Sequence, residues 1–544
     1  MFYQECESLA DKHPELRDLI IKIDDTLHSS TPSSVFRPEE LASKFNERQS
    51  QVTGIFNELA NSGLVRKEKY VECPKCRNLM DVDEYQKALD DLDTFECTQC
   101  QIDLTIQRPD EITVYRLNAS KVKKSSSKND VIENTSSQIP ANFNQKLPKQ
   151  LIDDPFKNTP LLRYYSRYNN LKTSKPFEAK RIIFLLHFLK DFIPFVRACE
   201  ELGMQLSNSY FFYKSYPYPQ KESIIKWLKD KNAAIVAPHS QIDQYLRQLN
   251  ESSVDRIGKI LIIEDGGFIV PAIHNQFPIL IKNVIGAVEQ TTRGIRNDEQ
   301  IKGLKIPILS VASSNIKNQF EPQYIAKACI NNIQRMLPNI AFNGKHIALL
   351  GYGKIGQEIA ERLRNNGAIV TIYDNSDQNM VMARQNGFET ADSPSQAAQM
   401  KNFVIGASGN ESINSDVISI LNHGTYLISA SSEQYEIDID ELERLNRHKE
   451  ELKNDNEELI GTTYTLPPND RHIHVLANGY PINFWGFESM PEEASDLILT
   501  LILLSAAELA LGNYKEHEIN SKAVNKIAVK YEVAKKFREI HKQG

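Results

Sequence analysis

The chain of 544 residues lacks the features that would place it in a membrane, in an oxidising compartment, or on a polyanion through bulk charge. Its longest apolar stretch near the end, Leu497 to Leu511, is interrupted by Thr500, Ser505 and Glu508 and is too short to span a bilayer. The N-terminal Met1-Phe-Tyr-Gln-Glu-Cys6 has no basic segment followed by an apolar core, so no secretory signal is read there and a cytoplasmic location is expected. Net charge is only -7, with 25% charged and 41% hydrophobic residues, which describes a mildly acidic globular protein of about two to four domains. Cysteine is scarce at seven, and Cys6, Cys199 and Cys329 are scattered, which argues against a disulfide framework.

The other four cysteines are not scattered. Cys73-Pro-Lys-Cys76 and Cys97-Thr-Gln-Cys100 read as two knuckles of a structural zinc site, because four thiolates close a tetrahedron and leave no position open for catalysis. A zinc ribbon is expected over residues 71–117, completed by Leu104-Thr-Ile-Gln and Ile112-Thr-Val-Tyr. Residues 1–70 in front of it read as a winged helix-turn-helix, with helices over Leu16–Leu27, from Pro38 to Phe45, and over Gln51–Asn61, then a strand after Gly63. On that reading Arg48, Gln49, Gln51, Thr53 and Asn57 are exposed reading positions, and Arg66, Lys67 and Lys69 begin a wing. The segment nonetheless carries 12 acidic against 9 basic side chains, so DNA contact and protein docking both stay open. Residues 118–150, polar and serine-rich around Lys123 to Lys128, read as a flexible linker.

The richest signal lies at Lys345 to Asp374, where an apolar strand runs into Gly351-Tyr-Gly353-Lys-Ile-Gly356, a helix follows, and a second strand ends on a carboxylate. Gly351 permits the tight turn, Gly353 lets backbone approach a diphosphate, and Gly356 lets the helix pack on the strand. The helix N-terminus, from Lys354 and Ile355 onward, faces that diphosphate with unpaired N–H groups. Asp374 is suited to accept from both ribose hydroxyls and to repel a 2′-phosphate, and no arginine follows it, so NAD is expected rather than NADP.

Around this unit strands and helices alternate from about residue 176: strands at Arg181–Phe184, Ala233–Ala237 and Lys259–Ile263, and a helix over Phe192–Leu202. The expected fold class is α/β, doubly wound and Rossmann-type, in two lobes. The first lobe is placed at 151–316, the NAD lobe at 317–484, and a return to the first lobe with a helical tail at 485–544. The charged run Asp438 to Glu458 reads as a surface helix.

Several segments in register resemble the S-adenosylhomocysteine hydrolase family over roughly residues 176–512. They are Ile263-Glu-Asp-Gly-Gly267, Gly286-Ala-Val-Glu-Gln-Thr-Thr-Arg-Gly294, Lys305-Ile-Pro307, Ile316-Lys317 with Phe320-Glu321, the glycine unit, and Leu476-Ala-Asn-Gly-Tyr-Pro-Ile-Asn483. The resemblance implies bound NAD that transiently oxidises a ribose 3′-hydroxyl, a nucleoside in the cleft, and a homo-oligomer. It implies NAD contacts for Thr291, Thr292, Asp374, Asn379 and Asn483, and substrate or proton-transfer roles for Asp265, Lys317 and His187.

The chain departs from the family in the acid–base set. Gln290 stands where the family has a glutamate, Arg293 replaces the third threonine, and Glu321 and Pro322 replace an aspartate and an asparagine. Two family histidines align with Ser432 and Met490, and a helical tail from Lys522 to Lys542 replaces the family's short C-terminal arm. Losing one proton-shuttling group costs about 10² to 10⁴ in rate. The expectation is therefore an NAD-binding protein with little hydrolase activity, acting as a nucleoside-responsive sensor toward a protein or DNA partner. The alternatives are a divergent hydrolase or oxidoreductase using Lys317, Glu321, Asp265 and His187, and a ligand-responsive DNA-binding regulator.

Overall fold

A computed structural model describes residues 3–28, 35–45, 47–73, 79–90, 95–97, 104–107, 111–117, 145–251, 258–431, 435–486 and 489–542. The chain divides into two compact units, Met1–Asn134 and Thr135–Gly544. No helix among the described residues is long and apolar enough to cross a membrane.

In the first unit, helices Gln4–Lys12, Arg17–His28, Pro38–Phe45 and Gln49–Asn61 precede a three-stranded sheet of β1 (Val65–Glu72), β2 (Leu79–Asp81) and β3 (Glu111–Leu117) in the order β2-β1-β3. Val52, Ile55, Phe56 and Leu59 recur at helical spacing and bury one face of Gln49–Asn61. They join Leu19, Ile20, Ile23, Leu64 and Tyr115 in one core. Strands β1 and β3 pair antiparallel from Val65 opposite Leu117 to Val71 opposite Glu111, so the cysteine segment is an insertion between paired strands.

Within that insertion Cys73 and Cys97 are both fully buried, in a small cluster with Val71, Met80, Tyr85 and Leu104. Cys76 and Cys100, the other expected zinc ligands, lie outside the described residues, among which no three metal-ligating side chains converge. Asn57 departs from its expected role as a free reading position. Its Oδ1 accepts from the Tyr115 hydroxyl at 2.7 Å and from Lys67 Nζ at 3.0 Å, fastening the helix to both strands.

The second unit has two lobes. The first is a parallel sheet ordered β18-β9-β8-β7-β4-β5-β6, from β4 (Lys180–Leu186), β5 (Tyr210–Tyr213), β6 (Ile235–Pro238), β7 (Lys259–Glu264), β8 (Val284–Glu289), β9 (Ile308–Ser310) and β18 (Ile519–Asn520). The second is ordered β12-β11-β10-β13-β14-β17-β16-β15, from β10 (His346–Leu350), β11 (Ile369–Tyr373), β12 (Glu389–Thr390), β13 (Phe403–Gly406), β14 (Thr425–Ser429), β15 (His448–Lys453), β16 (Leu459–Leu466) and β17 (Arg471–Leu476). Strands β10 to β14 and β17 run parallel, and β15 and β16 add an antiparallel edge.

That edge corrects the expected surface helix. Only Ile439–Leu445 is helical, while His448–Lys453 is the outer strand, its charges facing solvent where they guard an open sheet edge. The expected linker also ends sooner than residue 150. The amide of Gln145 donates to the Pro219 carbonyl at 2.9 Å, and its Oε1 accepts from Gln220, so the chain is docked on the first lobe from there.

Two crossings join the lobes. The 22-residue helix Asn315–Met336 makes the first, and buried Asn332 ties it to the second by donating to the carbonyls of Ile482 at 2.9 Å and Asn483 at 3.3 Å. The apolar stretch near the end is the core helix Glu492–Ala510, buried from Ala494 to Ser505 apart from Leu499. The tail helices Ala523–Lys530 and Val533–His541 pack on this same lobe, pinned where Glu508 accepts from Lys530 Nζ at 2.7 Å and the Tyr531 hydroxyl at 2.6 Å.

Replacing Asn57 with Ala strands the buried Tyr115 hydroxyl, a loss of about 1–3 kcal/mol. Amide exchange in β1 and β3 of the full-length protein is expected to quicken by about tenfold or more. Unchanged exchange there would show that Asn57 fastens nothing.

Candidate functional site

Among its parallel strands each sheet reverses its order once, and a doubly wound sheet opens a crevice where it does so. In the first lobe the reversal falls between β4 and β7, whose C-terminal ends carry His187 and Asp265. In the second it falls between β10 and β13, whose ends carry Gly351 and Ala407. A cleft of about 500 Å³ lies between the lobes, lined by His187, Gln290, Lys317 and Phe484 on one side and by Gly353 and Ser408 on the other.

The glycine turn fits a dinucleotide. Gly351 has φ +109, and a Cβ on it would stand 2.5 Å from the Ala407 carbonyl carbon, so the turn closes only with glycine. A Cβ on Gly356 would stand 2.1 Å from the Gly351 carbonyl oxygen, which is the close helix approach the motif requires. Gly353 has nothing within 4 Å of that direction and is the N-cap of helix Lys354–Asn365, with no side chain closing it. Its open face and the amides behind it form a cradle that a diphosphate can enter. Asp374 turns inward toward this loop. Its Oδ2 accepts from Tyr352 N at 2.6 Å and its Oδ1 from Ser376 N at 2.8 Å, and the remaining acceptor capacity suits ribose hydroxyls.

The first-lobe wall is a closed polar network. Buried Asp265 accepts from Lys214 Nζ at 2.5 Å and Gln290 Nε2 at 2.6 Å, and its Oδ2 lies 3.2 Å from His187 Nε2. The other ring nitrogen of His187 bonds the Tyr218 hydroxyl, and its ring stacks on Phe484 at 4.5 Å. Burial alone would push the Asp265 carboxyl up, but the charges and hydrogen bonds of Lys214 and His187 hold it well below the usual carboxylate range.

Beneath the wall are three more acids. Glu264 accepts from the amides of Phe268, Ile269 and Val270, and Glu289 accepts from those of Gly266, Gly267 and Thr291 and from the Thr291 hydroxyl. Among the described residues Asp298 has no hydrogen-bond partner for either oxygen. Burial, then the charges of Glu264 and Glu289, push its carboxyl up to about 10, above Glu289, which burial and the charge of Glu264 push up to about 8, so Asp298 is the first of them to hold a proton. Lining the cleft itself, Asp191 is pushed up by burial to about 6 against the hydrogen bond from Ser495.

Of the expected site residues, His187, Thr291, Thr292, Lys317, Glu321, Gly353, Lys354, Ile355 and Asn483 line the cleft, as does Met490. Asp265 stands just behind it, while Gly351, Gly356 and Asp374 shape the turn without lining it, and the amide of Asn379 donates to Ser376 Oγ in the first turn of helix Asp377–Gln385. Ser432 lies outside the described residues. Lys317 and Glu321 pair at 2.6 Å on one helix face. The Thr291 hydroxyl donates to Glu289 and accepts from Gly294 N at 3.0 Å, so it is the N-cap of helix Thr292–Glu299 before it is anything else.

Sequence reading missed Lys214, Asp191 and Glu436. Lys214 and Asp191 follow strand and loop ends with no motif around them. Glu436 is buried and accepts from Gly409 N at 2.6 Å, Ser431 Oγ at 2.6 Å, and Ser412, which ties the loops after β13 and β14; the serine-rich flanks were its one signal.

The second lobe thus has the topology, turn and acid of a dinucleotide-binding domain. Residues 323–486 match the family model for the NAD-binding domain of S-adenosyl-L-homocysteine hydrolase. The chain is 26% identical over 354 residues to adenosylhomocysteinase of Aquifex aeolicus, spanning 63% of this chain and 80% of that protein. It is 26% identical over 345 residues to adenosylhomocysteinase of Archaeoglobus fulgidus, spanning 62% and 82%. It is also 26% identical over 301 residues to S-inosyl-L-homocysteine hydrolase of Methanopyrus kandleri, spanning 54% and 69%. The second lobe is similar to the NAD-binding domain of adenosylhomocysteinases, and the chain to those enzymes at the distance of a divergent relative.

Two outcomes separate the glycines. Gly353→Val is expected to leave the apo protein folded and to abolish the thermal shift given by NAD, whereas Gly356→Ala lowers the apo melting temperature itself. Equal NAD shifts in wild type and Gly353→Val would mean that no diphosphate enters the turn. The Asp298 proton sets a pH dependence. Because the folded pKa is raised, its stabilising contribution is complete below about pH 4 and fades as pH rises toward about 10. Stability measured by denaturation against pH should fall more steeply over that window for wild type than for Asp298→Asn, and parallel curves would exclude the proton.

Proposed function

We propose that this protein binds NAD and a purine nucleoside in the inter-lobe cleft without rapid hydrolytic turnover, and that it serves as a nucleoside-responsive sensor. The observation that carries the reading is the commitment of Asp265, where Lys214, His187 and Gln290 take three of about four acceptor positions of the carboxylate. A general acid or base must be free to exchange a proton with the reacting group, and none of these partners leaves Asp265 or His187 free to do so. The relatives named for adenosyl and inosyl thioethers support a purine nucleoside as ligand class. The helices and antiparallel strands of the first unit support a winged-helix module that reports occupancy to a partner, and the burial of Cys73 and Cys97 in one cluster supports a structural zinc in it. With Asn57 committed to internal bonds, a protein surface is the partner favoured over DNA.

A second reading, a slow oxidoreductase or hydrolase, is favoured by one feature. Asp191, pushed up to about 6 by burial, lines the cleft together with the Lys317–Glu321 pair and supplies a proton-exchanging group near neutral pH.

Purified protein incubated with NAD and S-adenosylhomocysteine should gain thermal stability from each ligand. It should release homocysteine at least about 10²-fold more slowly than a relative such as the Aquifex aeolicus enzyme. Absence of any stabilisation by NAD would remove the proposal. Bound NADH absorbance without homocysteine release would favour the second reading, and release at the relative's rate would establish a hydrolase.

A further inference from the structure

The positive charge on the cleft is unevenly compensated. Lys317 has its carboxylate in Glu321, but Arg293 and Arg296, on the first-lobe helix Thr292–Glu299, have no ion pair or hydrogen bond among the described residues. Both line the main cleft together with Gly353 and Lys354, and both also line a polar annex of about 570 Å³ that adjoins it at Gly409. Carboxylates of Glu411, Asp438 and Asp440 line that annex from the second lobe, yet none closes on either arginine. The Arg293 guanidinium instead stacks 4.0 Å from the ring centre of Tyr435, a neutral side chain of the second lobe. Stacking fixes the plane of the guanidinium and leaves the N–H donors along its edge unused, which is the pre-organised state of a bidentate anion receptor.

In the lining of the same cleft, the second lobe offers the open face of Gly353 and the N-terminus of helix Lys354–Asn365. An anion at that point meets backbone amides from one lobe and guanidinium groups from the other. We propose that Arg293 and Arg296 are phosphate-binding residues that grip, from the first lobe, a phosphoryl group seated at the glycine turn of the second. The inference rests on the dinucleotide reading given above. The phosphoryl oxygens have two sources, the diphosphate of the dinucleotide itself or a 5′-phosphate on the nucleoside ligand, and the chemistry of recognition is the same for both.

The experiment measures NAD affinity by calorimetry at two salt concentrations for wild type, Arg293→Ala, Arg296→Ala and the double variant. It then measures binding of adenosine and of adenosine 5′-monophosphate to the NAD-loaded proteins. Arg296 is exposed, so its variant keeps the fold, and apo melting temperatures check Arg293→Ala. Loss of about tenfold or more in NAD affinity in each single variant, with a shallower salt dependence, assigns the arginines to the diphosphate. Unchanged NAD affinity with a similar loss for the monophosphate, and none for adenosine, assigns them to a phosphorylated ligand and equally supports the proposal. Unchanged affinity for both phosphates overturns it. If wild type binds no NAD, the dinucleotide reading fails separately and the monophosphate arm, run on the apo protein, still decides on the arginines.

Discussion

A parallel strand that ends beneath a loop leaves backbone N–H groups pointing into the interior with no sheet partner, and each one left buried and unpaired costs about 1–3 kcal/mol. In both lobes carboxylates take them. Glu264 and Glu289, the last residues of β7 and β8, accept from three backbone amides each. Asp374, just past β11, holds Tyr352 and Ser376, and Glu436 holds Gly409 beyond β13. These side chains set the course of the loops after β7, β8, β10, β11 and β13. Such charge-assisted bonds are among the stronger ones a protein makes, which is why loops of this length can hold a cleft open.

Concentrating acids at one sheet edge has consequences for their neighbours. Glu264, Glu289 and Asp265 are consecutive in space at the first-lobe reversal, so a further charge there is resisted. Asp298 answers by keeping its proton, and Asp265 by drawing in the buried Lys214. Lys214 also faces the rings of Tyr216 and Phe268, at 5.7 and 5.9 Å. Gln290 belongs to the same solution. A carboxylate in its place would stand 2.6 Å from Asp265 with the same charge, whereas the amide donates. The substitution that removes a proton acceptor from the cleft is therefore also what lets the wall close as a satisfied network.

The parts of this structure that sequence made legible are those whose physics is local. Gly351, Gly353 and Gly356 are required by contacts within a few residues of themselves, and the strand before them and the carboxylate after them are contiguous in the chain. Lys214 could not be read, because its partner Asp265 is 51 residues away and the two meet only through strand order. Asn57 looked exposed because nothing in its helix contradicts exposure; β3, arriving 58 residues later, covers it. The run from Asp438 imitated a helix because alternating charges satisfy helical pairing as easily as an edge strand. What decides between them is Leu459–Leu466, a buried partner strand that helical spacing cannot reveal. The serine-rich loop around Glu436 was passed over for a similar reason, since its donors gain meaning only when one carboxylate gathers them.

The two crossings between the lobes give this arrangement a further property. Asn332 donates to both Ile482 and Asn483, so the outgoing helix and the returning loop move as one piece, and Asn483 and Phe484 carry that piece to the cleft wall beside His187. A ligand touching Phe484 or Asn483 from the first lobe, and the glycine turn from the second, acts on the only covalent links between them. Opposed cations and helix amides with no anion between them repel. On the proposal that the arginines grip a phosphoryl group, an anion in that gap bridges Arg293 and Arg296 on one lobe and the helix amides at Gly353 on the other.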